Sequence, residues 1–98
     1  MAKILVVDDS PSEMAKFRDI LTRHQHEVIE AHTGEDGIQK ANEFFPDVIL
    51  MDVVMPEMNG FQATRKLTRD PKTSHIPVII ISTKNQEADR VWGKRQGA

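Results

Sequence analysis

The chain has 98 residues, the length of one small domain, and 39% of them are hydrophobic and 29% charged, as in ordinary globular proteins. Its net charge of −2 gives no electrostatic reason to expect binding to nucleic acid or to an anionic membrane. The lack of cysteine excludes disulfides, thiolate catalysis and cysteine-ligated zinc. No apolar run is as long as a membrane helix, which needs about 20 residues. The N-terminal segment does not have the form of a signal peptide, so we expect a cytoplasmic protein.

The first half of the chain alternates between strand and helix patterns. The apolar run Ile4–Val7 predicts a first strand. The segment Ser-Pro-Ser-Glu at 10–13 is typical of a helix start, with Ser10 as N-cap and Glu13 closing a capping box. The amphipathic segment His26–Ala31 predicts a second strand near an edge of the sheet. The buried face of the first helix is predicted from apolar residues at helical spacing: Met14, Phe17, Ile20 and Leu21.

The alternation continues to the end. A second helix opens at 33–36 and stops before Pro46, and the run Val48–Met51 predicts a third strand. A third helix follows at 61–68, then a fourth strand at Val78–Ile81 and a last helix at 86–96. Short connections between alternating elements predict a doubly wound α/β domain with a parallel sheet. The residues expected to face the core from the second and third helices are Ile38, Ala41, Phe45, Phe61, Thr64 and Leu67.

Acidic residues stand where two of the predicted strands stop. Asp8 and Asp9 follow the first strand, and Asp52 follows the third. Ligands of open parallel sheets bind outside the carboxyl ends of the strands, so the three carboxylates meet if the first and third strands are neighbours. One such aspartate could be a turn or cap residue. Three of them predict a site for a hard divalent cation, and Mg²⁺ matches best because it favours carboxylate and phosphate oxygens.

A hydroxyl and an ammonium group follow the fourth predicted strand, in the sequence Ser82-Thr83-Lys84. They belong to the same edge of the sheet as the acidic residues. Each of them alone is typical of a solvated turn or surface position. Beside a carboxylate site that binds Mg²⁺, they suggest a phosphoryl group as the missing anion.

Three blocks of sequence resemble the receiver domain of two-component response regulators: ILVVDDS at 4–10, PDVILMDVVMPEMNG at 46–60 and IPVIIIST at 76–83. They have the family's order and spacing, and the resemblance covers residues 1–98 as one domain. The segments at 60–70 and 89–98 look like those of stand-alone receivers in twitching-motility chemosensory signalling. The resemblance implies a flavodoxin-like fold with strand order 2-1-3-4-5.

The resemblance also implies roles for individual residues. Asp52 matches the phosphoacceptor, Asp9 the carboxylate that binds Mg²⁺ directly, and Asp8 its water-linked neighbour. The backbone carbonyl of Val54 matches a third protein ligand of the metal, and Ser82 matches the hydroxyl that binds the phosphoryl group and moves on activation. The loop residues that shape the site correspond to Pro56 and Gly60. The phosphoryl donor would be a sensor histidine kinase, the signal would pass to a downstream protein target, and any catalysis would be limited to the domain's own phosphorylation and dephosphorylation.

The family's essential lysine, its fifth strand and its fifth helix have no counterpart before Ala98, so we expect a receiver that is truncated before the fifth strand. Lys84 could replace the lysine in part, although it leaves from a different strand. Without a fifth strand, the uncharged run at 78–81 is an open edge that favours pairing with another chain. We therefore expect a homodimer or a swapped oligomer through the fourth strand.

Two alternatives to a phosphoacceptor remain open. A phosphatase-like hydrolase with an aspartate nucleophile would need a second aspartate two residues later, and that position is Val54. A receiver-like interaction or assembly module would keep the fold but lack phosphotransfer because the lysine is missing. The three hypotheses differ in what Mg²⁺ and a small phosphodonor should produce: a stable aspartyl phosphate, multiple turnover, or no reaction.

Overall fold

A computed structural model describes residues 1–82 as a four-stranded parallel sheet with three helices. The predicted helix at 86–96 and the positions of Thr83 and Lys84 lie outside the described residues. None of the described helices combines the length and apolar character needed to cross a bilayer. In chain order the elements are β1 Lys3–Val7, α1 Pro11–Arg23, β2 Glu27–Ala31, α2 Gly34–Phe44, β3 Val48–Asp52, α3 Gly60–Arg69 and β4 Val78–Ile81.

The side chains of β1 build two cores because successive residues of a strand point to opposite faces of the sheet. Leu5 and Val7 pack on one face with buried residues of α2 and α3, such as Ala41 and Leu67. Ile4 and Val6 pack on the other face with Met14 of α1, against which Phe17 and Leu21 also lie. A strand that is buried on both faces has to be apolar at every position, which is the pattern read from the sequence.

The strand order β2-β1-β3-β4 makes β1 and β3 neighbours, as the prediction of a common site requires. Val7 pairs with Met51, and Asp52 pairs with Ile81. The carboxyl ends of β1, β3 and β4 therefore lie side by side. Asp52 is the last residue of β3, whereas the sequence pattern predicts that the strand ends at Met51.

The exposed side of β2 is closed by a group of charged side chains, which we call the β2 clasp: Arg18, Glu30, Asp36 and Lys40. The Arg18 guanidinium of α1 binds the Glu30 carboxylate through both oxygens, with Nη2–Oε1 at 2.9 Å. From α2, the Lys40 Nζ donates to the Glu30 carbonyl at 2.6 Å and lies 3.2 Å from Asp36. The hydrogen bond from Arg18 lowers the pKa of Glu30, and burial only partly opposes this shift. The clasp thus joins both helix layers to the edge strand.

The opposite edge corrects one prediction. The run Val78–Ile81 was expected to be buried on both faces, but Ile79 is 51% exposed and the other three residues are half-buried. Within residues 1–82, β4 has β3 as its one strand neighbour. An apolar run that does not alternate identifies a strand, but it does not say how many layers cover the strand.

Three details of the helices also differ from prediction. Ser10 caps α1 through the backbone N–H of Glu13 at 3.3 Å, but the expected capping box does not form because the backbone N–H of Ser10 is bound to Asp8. A capping box occurs at α3 instead, between Asn59 and Gln62. Two residues expected in the core are about half exposed: Ile20 and Phe45. For Ile20, helical spacing does not distinguish the centre of a buried face from its rim. Phe45 lies outside the helix, because α2 ends at Phe44 and Phe45 is its left-handed C-cap with φ of 46°.

Candidate phosphoacceptor site

The structure brings Asp8, Asp9 and Asp52 together at the carboxyl ends of β1 and β3. One carboxylate oxygen from each residue lies within 4.8 Å of those of the other two. Asp8 is 0% exposed and Asp52 is 1% exposed, while Asp9 is half-buried. Carboxylates this close repel one another when charged, and a cation offsets that repulsion. We call these three residues the acidic site.

Two hydrogen bonds to main-chain groups hold Asp8 in place, one through its backbone N–H and one through its side chain. Its backbone N–H donates to the Ala31 carbonyl at 3.0 Å, which continues the β1–β2 ladder past the last strand residue. Its side-chain Oδ1 accepts the backbone N–H of Ser10 at 2.8 Å. The carboxylate is therefore oriented by the same turn that begins α1. The N-cap role of Ser10 was predicted, but the hydrogen bond from its backbone N–H to Asp8 was not, although an aspartate often accepts the backbone N–H two residues later in such a turn.

Gly60 allows α3 to begin directly against the end of β3. Its backbone N–H donates to the Val53 carbonyl at 2.8 Å. A Cβ at this position would lie 2.0 Å from the carbonyl oxygen of Asp52, so no side chain fits without a shift of the main chain. The start of α3 therefore packs directly on the main chain of Asp52. That Gly60 shapes a binding site stays a prediction.

The loop from Val53 to Asn59 follows the acidic site. Val54 lies two residues after Asp52 and is 46% exposed; its carbonyl as a metal ligand stays a prediction. A tight turn surrounds Glu57, which has φ of 68° while the Met58 N–H donates to the Pro56 carbonyl at 2.8 Å. An open cavity of about 380 Å³ lies between this loop and the start of α2, lined by Thr33, Gly34, Glu35, Pro56, Glu57 and Met58.

Ser82 lies at the same edge of the sheet as the acidic site. It directly follows Ile81, the partner of Asp52 in the β3–β4 register, and the Val53 N–H donates to the Ile81 carbonyl at 3.2 Å. The Ser82 hydroxyl is buried and has no hydrogen-bond partner within residues 1–82. A buried hydroxyl without a partner is costly, and an anionic oxygen at this edge would satisfy it.

The donor set has the chemistry of a hard-cation site. Three carboxylates supply oxygen ligands, which Mg²⁺ prefers, and Mg²⁺ binds through one or two carboxylates with water and phosphate oxygens in its other positions. The residues present therefore fit a magnesium ion, and a phosphoryl group is the anion that would complete its shell.

The family model for the response regulator receiver domain matches residues 4–98. The chain belongs to this family. A receiver domain is a signalling domain rather than a metabolic enzyme, so the family assignment favours the phosphoacceptor hypothesis over the hydrolase.

Individual relatives agree with the family assignment. The chain is 61% identical to Protein PilH of Pseudomonas aeruginosa over 98 residues, which is 100% of this chain and 81% of PilH. The structure of the Vibrio cholerae chemotaxis protein CheY4 aligns with a TM-score of 0.83 at 33% identity, covering 100% of this chain and 82% of CheY4. The receiver domain of the Pseudomonas aeruginosa sensor histidine kinase PA1611 aligns with a TM-score of 0.82 at 26% identity, covering 92% and 74%, and that receiver has a magnesium ion coordinated in its active-site cleft.

Proposed function

We propose that this receiver accepts a phosphoryl group on Asp52 from the phosphohistidine of a sensor histidine kinase, with Mg²⁺ held by the acidic site. The observation that carries the proposal is the convergence of three carboxylate oxygens within 4.8 Å at the carboxyl ends of two neighbouring strands. Two of these side chains are almost fully buried, and burial of carboxylates is costly unless a partner or a cation offsets it.

Each residue has a distinct part in the proposed transfer. An Oδ of Asp52 attacks phosphorus, the phosphorus–nitrogen bond of the donor breaks, and its electron pair returns to the imidazole. Asp8 and Asp9 hold the cation, and the hydrogen bond from Ser10 keeps the Asp8 carboxylate oriented. When bound, Mg²⁺ neutralises charge on the phosphoryl oxygens. The Ser82 hydroxyl donates to one of those oxygens. Any catalysis belongs to the domain's own phosphorylation and dephosphorylation.

The output of this site is a conformational signal to a downstream protein. A phosphoryl group adds a charge of about −1.5 to −2 and strong acceptor oxygens. Ser82 directly follows the last residue of β4, so a hydrogen bond that draws this hydroxyl toward Asp52 changes the conformation at the end of that strand. The identity to Protein PilH supports a place in twitching-motility or chemosensory signalling, and the cytoplasm is the compartment that this proposal assigns to the chain.

Incubation with Mg²⁺ and acetyl phosphate, followed by intact-mass measurement, tests the proposal. We expect the parent chain to gain one phosphoryl group and Asp52→Asn to gain none. Asp19→Asn is the matched control, because it removes an exposed aspartate of α1 outside the site. Equal labelling of Asp52→Asn and the parent chain would show that the phosphoacceptor is elsewhere. Continuous turnover of acetyl phosphate would favour the hydrolase.

A parent chain that takes up no phosphoryl group would favour the second candidate function, an interaction or assembly module. The exposed Ile79 on β4 is the observation that supports such a module. We also propose a homodimer or swapped oligomer through β4, because within residues 1–82 this strand pairs with β3 alone and an unpaired strand edge favours pairing with another chain. Light scattering across a dilution series tests this. We expect the parent chain to be a dimer, and we expect the dimer of the Ile79→Lys variant to dissociate at higher protein concentration. A parent chain that stays monomeric at high micromolar concentration contradicts the dimer.

A further inference from the structure

The outer side of α3 presents a cluster of basic side chains. Arg65, Lys66 and Arg69 lie on the helix and Lys72 lies in the turn that follows; we call these four residues the α3 basic face. All four are exposed. At about 100° per residue, the three helical members fall within one arc of the helix surface, opposite the residues that α3 buries.

Each of the other lysine and arginine side chains in residues 1–82 forms an ion pair or a hydrogen bond within the domain. Those that lie within ion-pair distance of a carboxylate are Lys16, Arg18, Arg23 and Lys40. Lys3 donates to the carbonyl of Phe44. By contrast, no member of the α3 basic face forms an ion pair within the described part of the chain. Asp70 is the one acidic residue between positions 60 and 82, and its Oδ1 accepts the backbone N–H of Lys72 at 2.9 Å.

Helix stability does not account for this arrangement. Arg65 and Arg69 are four residues apart, a spacing at which like charges repel and destabilise a helix. The helix dipole favours basic residues in the last turn, which explains Lys66 and Arg69 but neither Arg65 nor Lys72. The last turn of α1 also holds a basic residue, Arg23, and there the charge is paired. The charge on α3 therefore points to a partner outside residues 1–82.

We propose that the α3 basic face is a docking surface for an acidic segment of a partner protein. The distribution of charge selects this occupant: four positive charges and one negative charge lie between positions 60 and 82 of a chain whose net charge is −2. A long polyanion, such as duplex DNA or an anionic membrane, would also meet the acidic remainder of the molecule. A short run of glutamates at helical spacing meets only the patch, because charges farther than about 8 Å are screened at physiological salt.

Fluorescence anisotropy with a labelled peptide tests the proposal on the full chain. The probe is a helical peptide of about 20 residues with glutamate at i, i+3, i+4 and i+7, and the control peptide has glutamine at those positions. We expect the triple variant Arg65→Gln, Lys66→Gln, Arg69→Gln to bind the acidic peptide about tenfold more weakly. The matched control is Lys16→Gln, Arg18→Gln, Arg23→Gln on α1, which changes the net charge equally and should bind like the parent chain.

Specific outcomes would overturn the proposal. Equal weakening by the α1 triple variant would mean that net charge, rather than this surface, controls binding. In an NMR titration with the acidic peptide, changes in the protein's amide chemical shifts that fall outside residues 60–75 would place the contact elsewhere. Tighter binding to duplex DNA or to phosphatidylserine vesicles than to the peptide would assign the surface to a different class of partner. The variant Arg65→Lys, Arg69→Lys keeps the charge and should retain binding, which separates a binding defect from a folding defect.

Discussion

Carboxylates have opposite surroundings in the acidic site and in the β2 clasp. In the acidic site, three like charges gather at the ends of β1 and β3, and two of them are almost fully buried. In the β2 clasp, Glu30 and Asp36 lie partly exposed against Arg18 and Lys40. The first arrangement gathers like charges, which a cation would stabilise, and the second pairs opposite charges.

The two regions also differ in what holds the carboxylates. Main chain supports the acidic site, through the backbone N–H of Ser10 on Asp8 and the close approach of Gly60 to Asp52. In the β2 clasp the Glu30 carboxylate is held by the long side chain of Arg18, which is 51% exposed. Main-chain support keeps a binding geometry in place before the ligand arrives, whereas side-chain support closes a sheet edge and tolerates adjustment.

The largest expected effect is that of Gly60→Ala. The new Cβ would lie 2.0 Å from the Asp52 carbonyl oxygen, so α3 or β3 must move. We expect a loss of about 2–4 kcal/mol in the free energy of unfolding, measured by urea denaturation. Gly34→Ala is the matched control, because its Cβ would lie 3.1 Å from Met58 at the nearest approach, and we expect a change within about 1 kcal/mol. Equal effects of the two substitutions would argue against main-chain support of the acidic site.

The acidic site was predictable from sequence because its residues follow strands that the apolar runs identify. An unbroken apolar strand implies a parallel sheet, and parallel strands place their carboxyl ends at one edge, so the sequence alone predicts that Asp8 and Asp52 lie close together. The family resemblance added the assignment of Asp52 as phosphoacceptor, which stays a prediction. The structure extends the prediction by showing how the acidic site is held.

The β2 clasp was not predictable in the same way. Arg18 and Glu30 are twelve residues apart and lie on different elements, and nothing in their local sequence pairs them. The destination of the Ser10 N–H was missed for a related reason, since Asp8 and Glu13 both offered it an acceptor and the turn geometry decided between them. Rim positions such as Ile20 were misassigned because spacing along a helix carries no information about what covers it.

An intermediate effect is expected from magnesium. If the acidic site binds Mg²⁺, a concentration of about ten times Kd adds about 1.4 kcal/mol to the free energy of unfolding. We expect a thermal melt of the parent chain to shift upward with Mg²⁺, while Asp9→Asn shifts much less. The metal-free Asp52→Asn variant should melt above the metal-free parent because one of three repelling charges is gone. An unchanged or lower melting temperature of metal-free Asp52→Asn would contradict strong repulsion within the site.

The smallest effect is expected in the β2 clasp, from Glu30→Gln. Arg18 lowers the pKa of Glu30 in the folded state, so the folded state binds this proton less readily than the unfolded chain does. The resulting stabilisation is fully present above the unfolded pKa of about 4.3 and is lost as the pH falls through the folded pKa. Because the pair is partly exposed and screened by solvent, we expect Glu30→Gln to cost no more than about 0.5 kcal/mol near pH 7. Urea denaturation of parent and variant across the acid range should show the difference shrinking toward zero as Glu30 protonates, and shrinking also at high salt near pH 7. A difference that stays constant with pH would mean that Glu30 acts through packing rather than through its charge, and the contrast between a paired clasp and a repelling site would then rest on the acidic site alone.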